Sequence, residues 1–195
     1  MDIVQKSALV AGLIALLTFG CSAPNQDAES AGKEPATELS FAEQAAAVKA
    51  GTADQIRLNE TPVSDEDLDQ LAGLEDHLLR LNMSHTSITD AGLAKIAAMH
   101  KLVQLRLGAP RLTDDGLALL AKLPELKHLH LIDAPITDAG LEHLHGLKNL
   151  SSLYLDNSRA SNEAMGRLVE ALPDVHLHFD GGHHRDDPQA SHDAH

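Results

Sequence analysis

The chain is 195 residues long and 43% hydrophobic, which excludes wholesale disorder and leaves room for one core plus extensions. With no Trp, one Tyr and three Phe, that core must be built from Leu, Ile, Val, Met and Ala, and a single cysteine excludes an internal disulfide, a Cys-based zinc site and a CxxC redox pair. A formal charge of −14 repels polyanions, so neither nucleic acid nor anionic lipid headgroups are expected partners.

At the N-terminus, Lys6 precedes an apolar run from Ala8 to Phe19, followed by Gly20 and Cys21. This is a basic region, a hydrophobic region and a small residue ahead of a cleavage point, and the run is too short to span a bilayer. The arrangement resembles a bacterial lipoprotein signal, in which cleavage falls just before a cysteine that is then acylated. The resemblance implies removal of residues 1–20, lipidation of Cys21 and an exported protein held on the extracytoplasmic side of a membrane, touching it through the anchor only. One departure is Thr18, which stands where the family favours Leu. An ordinary secretory signal with an incidental cysteine is the competing reading. Residues 21–38 are Ala, Ser, Pro and acid with almost no large apolar side chain, and read as a flexible tether.

The domain is expected over residues 39–180. Ser40 and Glu43 have capping-box spacing for a helix running to about Lys49, which would cover the open edge of the first strand. Self-similarity dominates the remainder of the domain. ITDAGL begins at Ile88, LTDDGL at Leu112 and ITDAGL again at Ile136, each offset by 24 residues, with weaker copies at Val63 and Ala160. Each is followed by an apolar-x-apolar element: Leu81 to Met83, Leu105 to Leu107, Leu129 to Leu131, Leu153 to Leu155 and Leu177 to Phe179, with Ile56 to Leu58 preceding them. Leu93, Ile96 and Met99, and likewise Leu117, Leu120 and Leu123, have helical spacing, whereas the paired leucines alternate as in a one-sided strand. The unit is therefore strand, turn, short helix of about ten residues. Thr89, Thr113 and Thr137 are placed as N-caps, each followed by an Asp that suits the helix dipole, and Ser64 with Asp67 is a weaker box. Gly92, Gly116 and Gly140 share a register that Asp67 and Ala164 also occupy, so close approach of neighbouring turns explains them better than positive φ.

LVQLRL (102–107), LKHLHL (126–131) and LSSLYL (150–155) match the LxxLxL consensus, and the chain resembles the leucine-rich-repeat family over residues 55–180. The resemblance implies an α/β solenoid of about five 24-residue repeats, with a short parallel sheet on the concave face and short helices on the convex face. Where the family has a buried Asn or Cys after the strand, this chain has Thr61, Thr86, Pro110, Ala134 and Ser158. Its usual hydrogen-bond ladder should therefore be interrupted in the middle.

In that architecture the outward residues of the strands form one exposed face. One row is Arg57, Asn82, Arg106, His130, Tyr154 and His178, and the row before it is Gln55, Arg80, Gln104, His128, Ser152 and His176. Arg57, Arg80, Arg106, His128, His130, Tyr154, His176 and His178 are the candidate binding residues, for a protein or other polymer that is acidic if it meets the arginines. A merely polar sheet face is the alternative. Four of the thirteen histidines lie on this face, and His176, His178, Asp180 and His183 could approach one divalent transition metal. A solvated His-rich tail over residues 181–195 is the competing reading. No nucleophile elbow, HExxH or phosphate loop is present, so neither an enzyme nor an organic cofactor is expected.

Overall fold

The computed structural model of the chain describes residues 39–59, 61–180 and 182–183. The signal segment, Cys21, the tether and residues 184–195 lie outside the described residues.

Helix α1 (Phe41–Lys49) opens the domain with the expected capping box between Ser40 and Glu43. Its apolar side buries Phe41, Ala45 and Val48. Strands β1 (Gln55–Leu58), β2 (Arg80–Met83), β3 (Gln104–Gly108), β4 (His128–Ile132), β5 (Ser152–Asp156) and β6 (His176–Phe179) come in sequence order and pair in parallel. Gly182 and His183, expected in the tail, form a short strand β7 (Gly182–His183) antiparallel to β6. The repeat is thus a leucine-rich-repeat solenoid of α/β class.

Register obeys the 24-residue offset from β2 onward, and β1 pairs with β2 at an offset of 25. Ile56, Leu81, Leu105, Leu129, Leu153 and Leu177 stand side by side across the sheet and are all buried. They pack against Leu93 and Ile96 of α2 (Asp90–Ile96), Leu117 and Leu120 of α3 (Asp114–Leu120), Leu141 and Leu144 of α4 (Asp138–Leu144), and Met165 and Leu168 of α5 (Asn162–Ala171). Each such leucine gains about 1.5–3 kcal/mol on burial, but only because its neighbours in the next repeat complete the enclosure. Helices α2 to α4 are seven residues long rather than about ten, since Met99 and Leu123 reach the core from the turn beyond the last helical residue.

The first copy departs further. Ser64 and Asp67 pair as a box, yet the segment becomes a 3-10 turn (Asp67–Leu71) with no side-chain cap. Asp65 and Asp69 are like charges one helical turn apart, which disfavours an α-helix there. Lys95 of the next repeat reaches both, at 2.6 Å from the Asp65 carbonyl and 2.6 Å from the Asp69 carboxylate.

Thr89, Thr113, Thr137 and Ser161 cap α2, α3, α4 and α5 with their side chains. The aspartates beside them do more than face a helix dipole. Asp65 accepts the Thr89 N–H (2.9 Å) and hydroxyl (2.7 Å); Asp90 accepts those of Thr113 (3.1 and 2.6 Å); Asp114 accepts those of Thr137 (2.8 and 2.5 Å); Asp138 accepts those of Ser161 (2.7 and 2.8 Å). Each carboxylate therefore holds the cap of the following repeat. Burial works to raise the Asp65 carboxyl, but the bonds from Thr89 and from the Gly92 N–H, with the charge of Lys95, bring it below its ordinary range. Asp138 is lowered by the Ser161 backbone and side-chain bonds and the charge of Arg167.

This ladder crowds the three glycines, although Ala164 is accommodated at the same register after the Asp138 rung. A Cβ on Gly92, Gly116 or Gly140 would lie 2.2, 2.2 or 2.4 Å from an oxygen of Asp65, Asp90 or Asp114. Asp67 escapes because no Asp rung precedes it. At the family's Asn register Thr86 donates its hydroxyl to the Gly108 carbonyl, whereas the Ser158 hydroxyl, at the far end rather than in the middle, is buried with no hydrogen-bond partner among the described residues. After β4, β5 and β6 the backbone turns through left-handed residues, Asp133, Asn157 and Asp180, types whose short polar side chains tolerate that conformation.

Candidate functional site

Alternation along each strand sends the leucines inward and the intervening side chains to the opposite face. The strand register aligns Arg57, Asn82, Arg106, His130, Tyr154 and His178 in one row, and Gln55, Arg80, Gln104, His128, Ser152 and His176 in the other. Neighbouring strands lie about 4.8 Å apart, so each side chain touches or faces its counterparts.

The three arginines differ in state. Arg57 is exposed and, among the described residues, makes no ion pair. Arg80 is held by Asp54 at 2.7 Å, with both side chains close to half exposed, so the pair is screened by water and weak. Arg106 is half-buried, forms no ion pair among the described residues, and has its Nε buried without a hydrogen bond. Sequence alone placed all three together as equals; only Arg57 and Arg106 are uncommitted.

The histidines and the tyrosine form a connected array. His130 Nε2 meets Asp156 Oδ2 at 2.7 Å, and His128 Nδ1 meets the Ser152 hydroxyl at 2.8 Å. Tyr154 stacks on His178, with ring centres 4.1 Å apart and planes 6° from parallel, and its ring centre is 5.2 Å from that of His130. His176 meets His178 edge to face at 4.3 Å. Between the two halves lies a concavity of about 290 Å³, floored by Leu105 and Leu129 and walled by Gln104, Arg106, His128, His130, Ser152 and Tyr154.

Two participants, Asp54 and Asp156, were not among the residues expected from the sequence. Asp156 comes two residues after Tyr154, so strand alternation was the available signal for it; Asp54 precedes β1 and had none. His145 is half-buried, with Nδ1 at 3.4 Å from Glu142 and Nε2 buried with no partner among the described residues.

Among the described residues, His176, His178 and Asp180 are not gathered into a metal-binding group, and no group of three or more His, Cys, Asp or Glu is placed to hold an ion. His176 and His178 are engaged ring to ring, and the left-handed turn at Asp180 directs its carboxylate to the Asn157 N–H at 2.8 Å. The His183 side chain lies outside the described residues. Among the described residues no helix is long and apolar enough to cross a membrane.

The family described as Leucine Rich repeat matches residues 76–97. In fold the chain is similar to an internalin (inlF) from Listeria monocytogenes, at 21% identity and a TM-score of 0.42, over 74% of this chain and 54% of that one. It is also similar to internalin C2 (inlC2) from the same organism, at 18% identity and a TM-score of 0.39, over 70% of this chain and 80% of that one. The chain thus spans about half the length of the first of these. No curated protein matches the sequence.

Proposed function

We propose that this leucine-rich-repeat protein is a non-enzymatic recognition module that docks an acidic partner protein on the exposed face of its sheet while Cys21 anchors it outside the cytoplasm. The observation that carries the reading is the charge of that face. In a molecule of net charge −14, the row through Arg57 and Arg106 presents two guanidinium groups that no carboxylate of the described residues neutralises. Arg and Tyr are enriched at binding hot spots, and opposite charge across an interface steers association and fixes register.

Two further points support it. Ser152 and His128 form a hydroxyl–imidazole pair, but Asp156, the carboxylate on the same face, is bonded to His130, so the orienting third member of a hydrolytic triad is absent from the described arrangement. The anchor is inferred from the signal-like segment before Cys21; two acyl chains, at about 0.8 kcal/mol per buried CH₂, hold a protein stably on a bilayer.

The test uses a partner captured from envelope extract with the form beginning at Ser22. Replacing Arg57, Arg80 and Arg106 by Ser should weaken its binding far more than replacing Lys101, Arg111 and Lys122, which are exposed and lie outside the strands. Parent binding should also fall with salt. Equal loss from the two triple variants would mean nonspecific attraction, and no loss from the first would place docking on another face.

A further inference from the structure

The groove at Arg106 has the chemistry of an oxyanion site. A guanidinium withdrawn from bulk water ordinarily sits beside a carboxylate, because the desolvation of its charge must be offset. Arg80 has Asp54, and Arg167 has Glu142 at 3.2 Å. Arg106 is half-buried with no ion pair among the described residues and a buried Nε that makes no hydrogen bond. Its register neighbours are Asn82 and His130, neither an anion. The groove beside it is lined by Gln104, His128, Ser152 and Tyr154 as further polar groups, with no carboxylate among the described residues that line it. Asp156, the acid on the same face, is fastened to His130.

We propose that this groove takes the carboxylate of a Glu or Asp side chain from an acidic peptide segment, with Arg106 as its anchor. The inference rests on the docking reading above and makes it specific to one residue. Planar, forked donors suit a carboxylate, which a guanidinium binds through two parallel hydrogen bonds. A concavity of about 290 Å³ has room for the end of one side chain and some hydration. An acidic polysaccharide fits less well. Sugars gain affinity by lying on an open aromatic ring, whereas the Tyr154 ring is already stacked on His178.

The probe is a glutamate oligomer, titrated into the full chain beside a glutamine oligomer, polygalacturonate and acetate. The glutamate oligomer should bind and the glutamine oligomer should not. Arg106→Gln should lose about tenfold or more in affinity, Arg106→Lys should lose an intermediate amount through loss of the fork, and Arg57→Gln should lose only about twofold as a rim charge. A melting curve matching the parent shows that the variants are folded, and Arg106→Lys carries the comparison if Arg106→Gln is not. Equal losses at residues 57 and 106, or equal binding of the glutamine oligomer, would overturn the site. Tighter, Arg106-dependent binding of polygalacturonate would overturn the peptide as its occupant. If the captured partner still depends on the three arginines while the glutamate oligomer ignores Arg106, docking stands and this inference fails. If neither depends on them, the docking reading fails as well.

Discussion

The Asp90 carboxylate occupies the space that a side chain on Gly116 would need: a Cβ there would fall 2.2 Å from its Oδ1. That oxygen is not free to swing aside, since Asp90 also holds the backbone and hydroxyl of Thr113. Gly116→Ala should therefore destabilise the domain by about 1–3 kcal/mol, as overpacking does. Asp90→Ala combined with Gly116→Ala should cost less than the sum of the two single changes, because the first removes the obstacle met by the second. Denaturant melts of the four proteins in this cycle check it; strict additivity would show that the two residues do not meet.

Loss of a single rung should be felt one repeat further on. Asp114→Ala removes both acceptors of Thr137, with a cost of about 2 kcal/mol. Hydrogen exchange should rise first at the N-terminus of α4, the helix that Thr137 caps. Faster exchange confined to α3, where Asp114 itself resides, would contradict the direction of the ladder.

Acid should act through the same carboxylates. Asp65 and Asp138 are held below the ordinary aspartate range in the folded protein. Their contribution is therefore complete above the unfolded-state value and disappears as pH falls through the lower folded-state value. Parent and Asp65→Asn should differ in melting temperature near neutrality and converge as the pH is lowered below about 3.8. A gap that stays constant to the lowest pH would remove ionisation from the account.

Leu129 lies at the centre of the inward column and is 0% exposed. Leu129→Ala should cost about 3 kcal/mol, the usual result of a cavity in a packed core. Leu129→Asp should cost more, since an unpaired charge would stand among stacked leucines. A variant that melts like the parent would show that the register is wrong.

Membrane attachment is tested independently of the fold. Cys21→Ser should release the protein from membranes or leave its signal uncleaved, read by fractionation and by the mass of the mature chain. Normal processing with undiminished membrane association would rule out acylation at Cys21.

Most of the scaffold is legible in the sequence, because strand alternation and the 24-residue offset reinforce each other at every Leu column. The helix caps are legible too, since Thr89, Thr113 and Thr137 recur at one place. What lies hidden is lateral. Which repeat an aspartate serves depends on how neighbouring turns stack, so Asp90 looks like a residue for its own helix and proves to belong to Thr113. The same limit applies to the exposed face. Sequence alone sets three arginines in a group, but only the pairing of Arg80 with Asp54 distinguishes a committed cation from the uncommitted Arg106. The Asp180 carboxylate is likewise turned to the Asn157 N–H by a left-handed residue, which simple alternation along β6 does not anticipate.

The sheet ends in two different ways. At its first edge the Gln44 side chain acts as a strand of one residue, accepting the Arg57 N–H at 2.7 Å and donating to the Arg57 carbonyl at 2.7 Å. At its last edge the chain doubles back, and β7 pairs with the end of β6. Open parallel edges are templates for self-association and amyloid-like growth. Here a second copy that tried to add a strand would first have to displace an amide at one side or a hairpin at the other. The same features that finish the fold therefore hinder backbone pairing by a second copy at Arg57 and at the end of β6.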